Sequence, residues 1–350
     1  MRRSMGALAT LALPLALLLG ACGQGQAGSA PDTAGTSTTE PGTVTLYSGR
    51  DEKLVGPIID RFRAETGVNV EVRYGNSAEM AAQLAEEGEA TPADVFYSQE
   101  VGAVGALARR DLMGQLPQAT IDRVAPQFRP AADRAWVGVT ARSRVLVYNE
   151  GALGDAPAPT GMEGLTDPAY RDLVGLVPGN AGFQAAMTGF RVSRGEPAAE
   201  QWLRDMKTNG VNTGYESNGD LLEAVGRGDQ AIGLINHYYW ARQEPAERDR
   251  TKIVFPTSDD PGGLVNATAA GVTKKGETNP AAVQLIDYLL SETGQQAFVD
   301  ETWEYPVVPG IEGPADIPPL AELGGPKIDL TDLDSLEQTQ AMLTREGYLS

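Results

Sequence analysis

Residues 44–72 read VTLYSGRDEKLVGPIIDRFRAETGVNVEV: a short β-branched run, a segment with apolar residues at helical spacing, and a second β-branched run. Residues 44–47 and 68–72 are predicted strands, and Leu54, Ile58, Ile59 and Phe62 make one face of the helix between them. The pattern then repeats. Met80 and Leu84 mark a second helix that ends in Glu86-Glu87-Gly88, and residues 93–97 form a third strand. A βαβαβ order implies a parallel sheet with helices on both faces. Ligands of such sheets sit beyond the carboxyl ends of the strands, which puts residues 48–52 and 98–100 at one site.

Residues 136–149 are extended and lead out of this first domain, carrying Arg142-Ser143-Arg144 ahead of the apolar stretch 145–148. Residues 150–265 have elements of their own: a helix at 201–209 with Trp202 and Met206 facing inward, a helix at 221–225, and a strand at 230–235. Small extended residues at 266–272 and helices at 280–290 and 294–300 return to the first domain. Two crossings between two α/β lobes make a hinge. The expected boundaries are a first lobe of 43–142 plus 267–320, a second lobe of 143–266, and a C-terminal helical segment of 321–350. No fixed-period repeat is present, which argues against a solenoid or propeller.

The strand at 230–235 runs into Leu234-Ile235-Asn236-His237-Tyr238-Tyr239-Trp240, where two phenols lie beside the only histidine among 350 residues. This junction has two readings. The aromatic cluster caps a core, the commoner use of such residues; or the phenols hold a hard cation, whose field deprotonates groups that otherwise titrate near pH 10.

At the N-terminus, Arg2 and Arg3 precede an apolar run from Ala7 to Leu19 that ends in Leu19-Gly20-Ala21-Cys22. Residues 1–21 are expected to be a secretory signal. The small residues before the cysteine resemble the bacterial lipobox, so Cys22 is the expected lipidation site. Acyl chains, at about 0.8 kcal/mol per methylene, would anchor the mature protein at a membrane surface. Cys22 is the only cysteine, so no disulfide forms within one chain. Residues 22–42, rich in Gly, Ser, Thr and Pro, read as a flexible tether of roughly 25 Å mean span.

Without residues 1–21, 26 basic side chains face 47 acidic ones. So acidic a chain disfavours nucleic acid as a partner and favours cations near a cleft.

Taken together, the stretches 44–49, 91–97, 142–149, 235–240 and Glu304-Tyr305-Pro306 resemble the extracytoplasmic ferric-ion-binding proteins that feed ABC importers. The resemblance covers residues 43–310. It implies a two-lobed α/β periplasmic-binding-protein fold with hinge strands and a central ligand cleft. It also implies that Fe3+ is the transported ligand, held by two consecutive tyrosines matching Tyr238 and Tyr239. A third protein ligand is expected among Asp51, Gln99 and Glu100. A small anion, phosphate or carbonate, completes the shell at positions matching Asn180, Ala181 and Gly182, with further contacts at Asn218 and Asn236. The implied partner is an ABC-transporter membrane permease; the protein is expected to be a monomer, extracytoplasmic, lipid-anchored to the cell membrane, and no enzyme.

The chemistry agrees with this carry-over. Ferric ion is hard and prefers phenolate and carboxylate oxygen. Consecutive side chains on a regular helix point about 100° apart, so two adjacent phenols meet one ion only at a strand-to-helix junction. A carboxylate is expected as third ligand, because two phenolates offset only two of three positive charges; Gln99 is the poorest candidate. Phe183 lies close to where some relatives place a third tyrosine. His237 is expected to pack or hydrogen-bond rather than bind metal. The alternative ligand is an organic cation such as thiamine or a polyamine, boxed by Tyr238, Tyr239 and Trp240. More distant alternatives are a lipid-anchored hydrolase, for which one histidine and one cysteine are poor means, and an adhesin.

Overall fold

The computed structural model describes residues 42–256 and 259–350; the expected signal, the Cys22 lipidation site and nearly all of the tether lie outside them. The strands are β1 (Thr43–Ser48), β2 (Asn69–Tyr74), β3 (Val95–Ser98), β4 (Val137–Tyr148), β5 (Val174–Gly175), β6 (Ile232–Asn236), β7 (Lys252–Val254), β8 (Val265–Val272) and β9 (Tyr305–Pro306). They join in the order β2-β1-β3-β8-β4-β6-β5, with β7 and β9 pairing β4. As the βαβαβ order requires, β1 is parallel to both β2 and β3. Beyond them β8 is antiparallel to β3 and to β4. β4 and β8 are the paired strands that connect this sheet region to the second.

β4 is where the two halves meet. Its residues 137–143 pair with β8, and residues 144–148 pair with β6. One strand therefore passes from the first sheet region to the second at Ser143-Arg144, and the whole of Val137–Val147 is buried.

Each lobe has its own core. In the first, helix Glu52–Thr66 buries Val55, Ile58, Ile59 and Phe62 against the β1–β3 sheet. Each such side chain contributes about 1.5–3 kcal/mol when fully withdrawn from water. Leu54, expected inward, is only partly buried, and Val55 takes the inward place. In the second lobe, Phe183, Met187 and Phe190 of helix Ala181–Arg194 pack with Trp202, Leu203 and Met206 of helix Glu196–Thr208.

The C-terminal segment ends in a helix and divides its apolar residues between the two cores. Leu330 and Leu333 belong to the first core, whereas Met342, Leu343 and Tyr348 belong to the second. Segment 321–350 is thus shared between the lobes and makes a third crossing near Ser335. Helix Leu336–Arg345 has a single apolar face, and helix Ala181–Arg194 covers it. Thr188 and Thr339 hydroxyls meet at 2.7 Å there, and Arg191 donates to Gln338 at 2.7 Å. No helix among the described residues is long and apolar enough to cross a membrane.

Candidate metal centre

β6 is buried along its length and ends at Asn236, which is still extended (φ −79°, ψ 141°) and caps the five-residue helix His237–Ala241. The change from extended to helical backbone sets the Tyr238 and Tyr239 rings face to face, with centroids 4.8 Å apart and planes at 28°. Tyr238 is 1% exposed, and Tyr239 is half-buried. The Tyr238 hydroxyl accepts from Asn236 Nδ2 at 3.0 Å. Burial, with Tyr238 alongside, pushes the Tyr239 phenol up, so at neutral pH it holds its proton.

Around these phenols lies a buried charge cluster of which sequence reasoning assigned only Glu100 to the site. Arg50, Arg142 and Arg144 are 1–3% exposed, and Glu100 and Glu304 are 2% and 0% exposed. Arg50 donates to Glu304 Oε2 at 2.7 Å. Burial would lower the Arg50 guanidinium, but Glu304, Tyr97 and Tyr238 beside it raise it overall. Arg144 is pushed down to about 9 by burial, against the attraction of Tyr238 and Tyr239. Burial also lowers Arg142 and raises Glu100, with each opposing the other's shift. One signal for this cluster was available: Arg142 and Arg144, two apart on a strand, share a face.

Asn236 connects the cluster to the tyrosines. Its Oδ1 accepts from Arg144 Nη1 at 3.3 Å while its Nδ2 serves Tyr238. A small pocket of about 10 Å³ is lined in part by Arg142, Arg144, Gly182, Asn236, Leu264 and Asn266; that is room for about one water. Both terminal nitrogens of Arg142, Arg144 Nε and Asn266 Nδ2 are buried there without a hydrogen-bond partner among the described residues. Unpaired buried donors are costly, and here all of them would favour an anion.

The expected third-ligand residues fall into two settings. Asp51 and Gln99 line a cleft of about 500 Å³ together with Arg50, Asn180 and Ala181. Asp51 is exposed and caps helix Glu52–Thr66 through Lys53 N at 2.9 Å. Glu100 is buried and caps helix Val101–Arg109, its Oε2 accepting from Ala103 N at 3.3 Å, while Oε1 has no partner.

The expected anion-binding residues are also divided. Asn180 caps helix Ala181–Arg194, its Oδ1 accepting from Gly182 N at 2.9 Å. Gly182 approaches Asn236 so closely that a Cβ would lie 2.9 Å from its Oδ1. Asn218 is fully buried, with neither amide atom hydrogen-bonded among the described residues, and it opens helix Asn218–Arg227, which Ser217 caps.

His237 is 0% exposed, and burial lowers it to about 4. The aromatic box expected of an organic-cation site is already filled. Arg242 lies 4.7 Å over the Tyr239 ring, and Arg248 lies 5.5 Å over Trp240.

Residues 90–322 match the family of bacterial extracellular solute-binding proteins. The chain is 32% identical over 350 residues to the Fe(3+)-binding periplasmic protein of Serratia marcescens, covering 99% of this chain and 98% of that protein. It is 30% identical to the major ferric iron-binding protein of Neisseria meningitidis over 308 residues, covering 87% and 92% of the two. Among solved structures, iron-bound HitA from Pseudomonas aeruginosa superposes with a TM-score of 0.81 at 30% identity, covering 88% of this chain and all of that one.

Proposed function

Because the chain belongs to the family of bacterial extracellular solute-binding proteins, we propose that it captures ferric ion outside the cytoplasm and delivers it to an ABC-transporter membrane permease. It is a binding protein, not an enzyme. The observation that carries the iron reading is the stacked Tyr238–Tyr239 pair, set at a strand-to-helix junction within a ring of buried arginines. Two relatives bearing ferric iron-binding names support it.

Charge balance then calls for an anion. Three buried guanidiniums against two buried carboxylates leave an excess of one positive charge before loading. Fe3+ with two phenolates adds another, and a small dianion returns the centre to neutrality. We place that anion against Arg142, Arg144 and Asn266, beside Gly182 at the start of helix Ala181–Arg194. A guanidinium pair suits a planar oxyanion in bidentate fashion. The pocket is small, so carbonate requires less widening than phosphate.

The third protein ligand comes from Asp51, Gln99 and Glu100. Both acids serve as helix caps, and Glu100 keeps one carboxylate oxygen uncommitted. Lipidation at Cys22, a signal at 1–21 and a monomeric body on a tether complete the proposal. The organic-cation alternative is weakened by the two arginines that already cover the aromatic faces.

The test is the colour and metal content of the purified protein, compared with a Tyr238→Phe/Tyr239→Phe variant. Iron-loaded protein is expected to show a visible phenolate-to-metal band that the variant lacks. An unchanged band in the variant would exclude the tyrosine pair, and a colourless protein that takes up no iron would exclude the function.

A further inference from the structure

His237 precedes the tyrosine pair, and the backbone engages both of its ring nitrogens. Nδ1 lies 3.3 Å from both the backbone nitrogen and the carbonyl oxygen of Ser143, and Nε2 lies 2.8 Å from the carbonyl oxygen of Trp303. A carbonyl oxygen can only accept and the Trp303 contact is the shorter, so in the neutral ring Nε2 carries the proton and gives it to Trp303, while Nδ1 accepts from Ser143 N. The ring packs on Tyr305 at 4.8 Å and meets the Tyr238 ring edge-on at 5.7 Å.

The three elements joined by this ring lie on different sides of the hinge. His237 begins the turn that carries the tyrosines, leading out of the second-lobe strand β6. Ser143 is the last β4 residue paired with β8, just before β4 joins the second sheet region. Trp303 ends helix Glu292–Thr302, which packs in the first lobe. Trp303 has φ +60°, an uncommon conformation for a bulky residue, and it directs the carbonyl toward the imidazole. The next residue, Glu304, holds Arg50, and Arg50 lies beside the Tyr238 phenol. The contacts thus close a loop from His237 through Trp303, Glu304 and Arg50 to Tyr238.

We propose that His237 is the positioning residue of this site: as the Nε2–H tautomer it ties the tyrosine turn to Trp303 and so sets both phenols relative to the first lobe. This rests on the iron-binding reading for its effect on affinity, but not for the tie itself. A ring that served only as core packing would be replaceable by another ring of similar size.

The experiment compares His237→Phe, which keeps an aromatic ring on Tyr305 but loses both hydrogen bonds, with His237→Gln, which keeps a donor for Trp303. Ferric-ion affinity is measured by competition with citrate, alongside the visible band and the melting temperature. Amide exchange is followed by mass spectrometry in residues 236–241 and 300–306 of the iron-free protein. The Phe variant is expected to lose at least tenfold in affinity, to shift the band, and to exchange faster in both segments together. The Gln variant should stay within about threefold of the parent.

A Phe variant with parental affinity, band and exchange overturns the tie. If the parent binds no iron, the function falls, and the exchange result alone decides the tie. If the Phe variant does not fold, nitrogen NMR of the sole imidazole in the parent decides it, because a proton on Nδ1 rather than Nε2 contradicts the assignment.

Discussion

Glu304 and Arg50, 254 residues apart in the chain, form an ion pair of 2.7 Å with both side chains at most 1% exposed. Such a pair costs solvation for both ions and returns it only while both partners are present. Glu304→Gln should therefore destabilise by about 3–5 kcal/mol, the usual cost of orphaning a buried charge. Arg50→Met/Glu304→Leu together should cost clearly less than the sum of the single changes. Urea denaturation of the three variants measures this; additive losses would mean that the two charges are not coupled.

Gly182→Ala separates binding from folding. Alanine favours a helix over glycine by up to about 1 kcal/mol, which works against the crowding its methyl causes, so the net change in stability should be small. The new methyl would sit 2.9 Å from Asn236 Oδ1 and 3.0 Å from Asn180 Oδ1, disturbing the amide that serves Tyr238. Iron affinity should drop more than tenfold with the melting temperature maintained. Parental affinity would mean that the approach of this helix to Asn236 has no part in binding.

Asp51→Asn keeps the helix cap, since the two residues cap about equally well, but removes a charge at the cleft. Glu100→Gln removes the charge of a buried cap that retains an uncommitted oxygen. At fixed carbonate, at least one of the two should lose tenfold or more in iron affinity, while Gln99→Ala should lose little. A large loss confined to the Gln99 variant would refute the argument that a carboxylate completes the ion's charge.

Stability of the iron-free protein should fall with acid in a window set by His237. Its folded-state value is lowered to about 4 from 6.5, so between those pH values the unfolded chain binds more protons than the folded one. The contribution is fully present above pH 6.5 and is lost as pH falls toward 4, with a slope of up to about 1.4 kcal/mol per pH unit. Denaturation midpoints at pH 7, 6 and 5 should show it, and His237→Phe should lack this component. Equal slopes in both proteins would contradict a buried neutral imidazole.

Much of the fold was legible because local pattern and tertiary demand agreed. The apolar spacing of residues 54–62 and the β-branched runs around it led directly to a parallel β1–β3 unit, and the extended reading of residues 136–149 became β4. The junction before Tyr238 was visible as an apolar strand ending in aromatics. The buried cluster was not visible in the same way. Arg50 looks like a surface loop residue, and nothing local indicates that Glu304 will withdraw it from water. Glu100 and Asp51 both read as candidate metal ligands, and nothing local shows that each is engaged at a helix end. The C-terminal segment read as a helical piece of its own, and nothing local in it shows that its apolar residues divide between two cores.

The sequence by itself determined the order of strands and helices, the aromatic pair at the end of β6, and an acidic chain carrying one histidine and one cysteine. These are properties of neighbouring residues, set by periodicity, backbone preference and composition. The tertiary structure alone decided which charges meet. Arg50 finds Glu304, Arg144 reaches Asn236, and His237 reaches Trp303. Each of these contacts joins parts of the chain that are close only after folding, and a hydrogen bond or ion pair acts over a few ångströms in space whatever the separation in sequence.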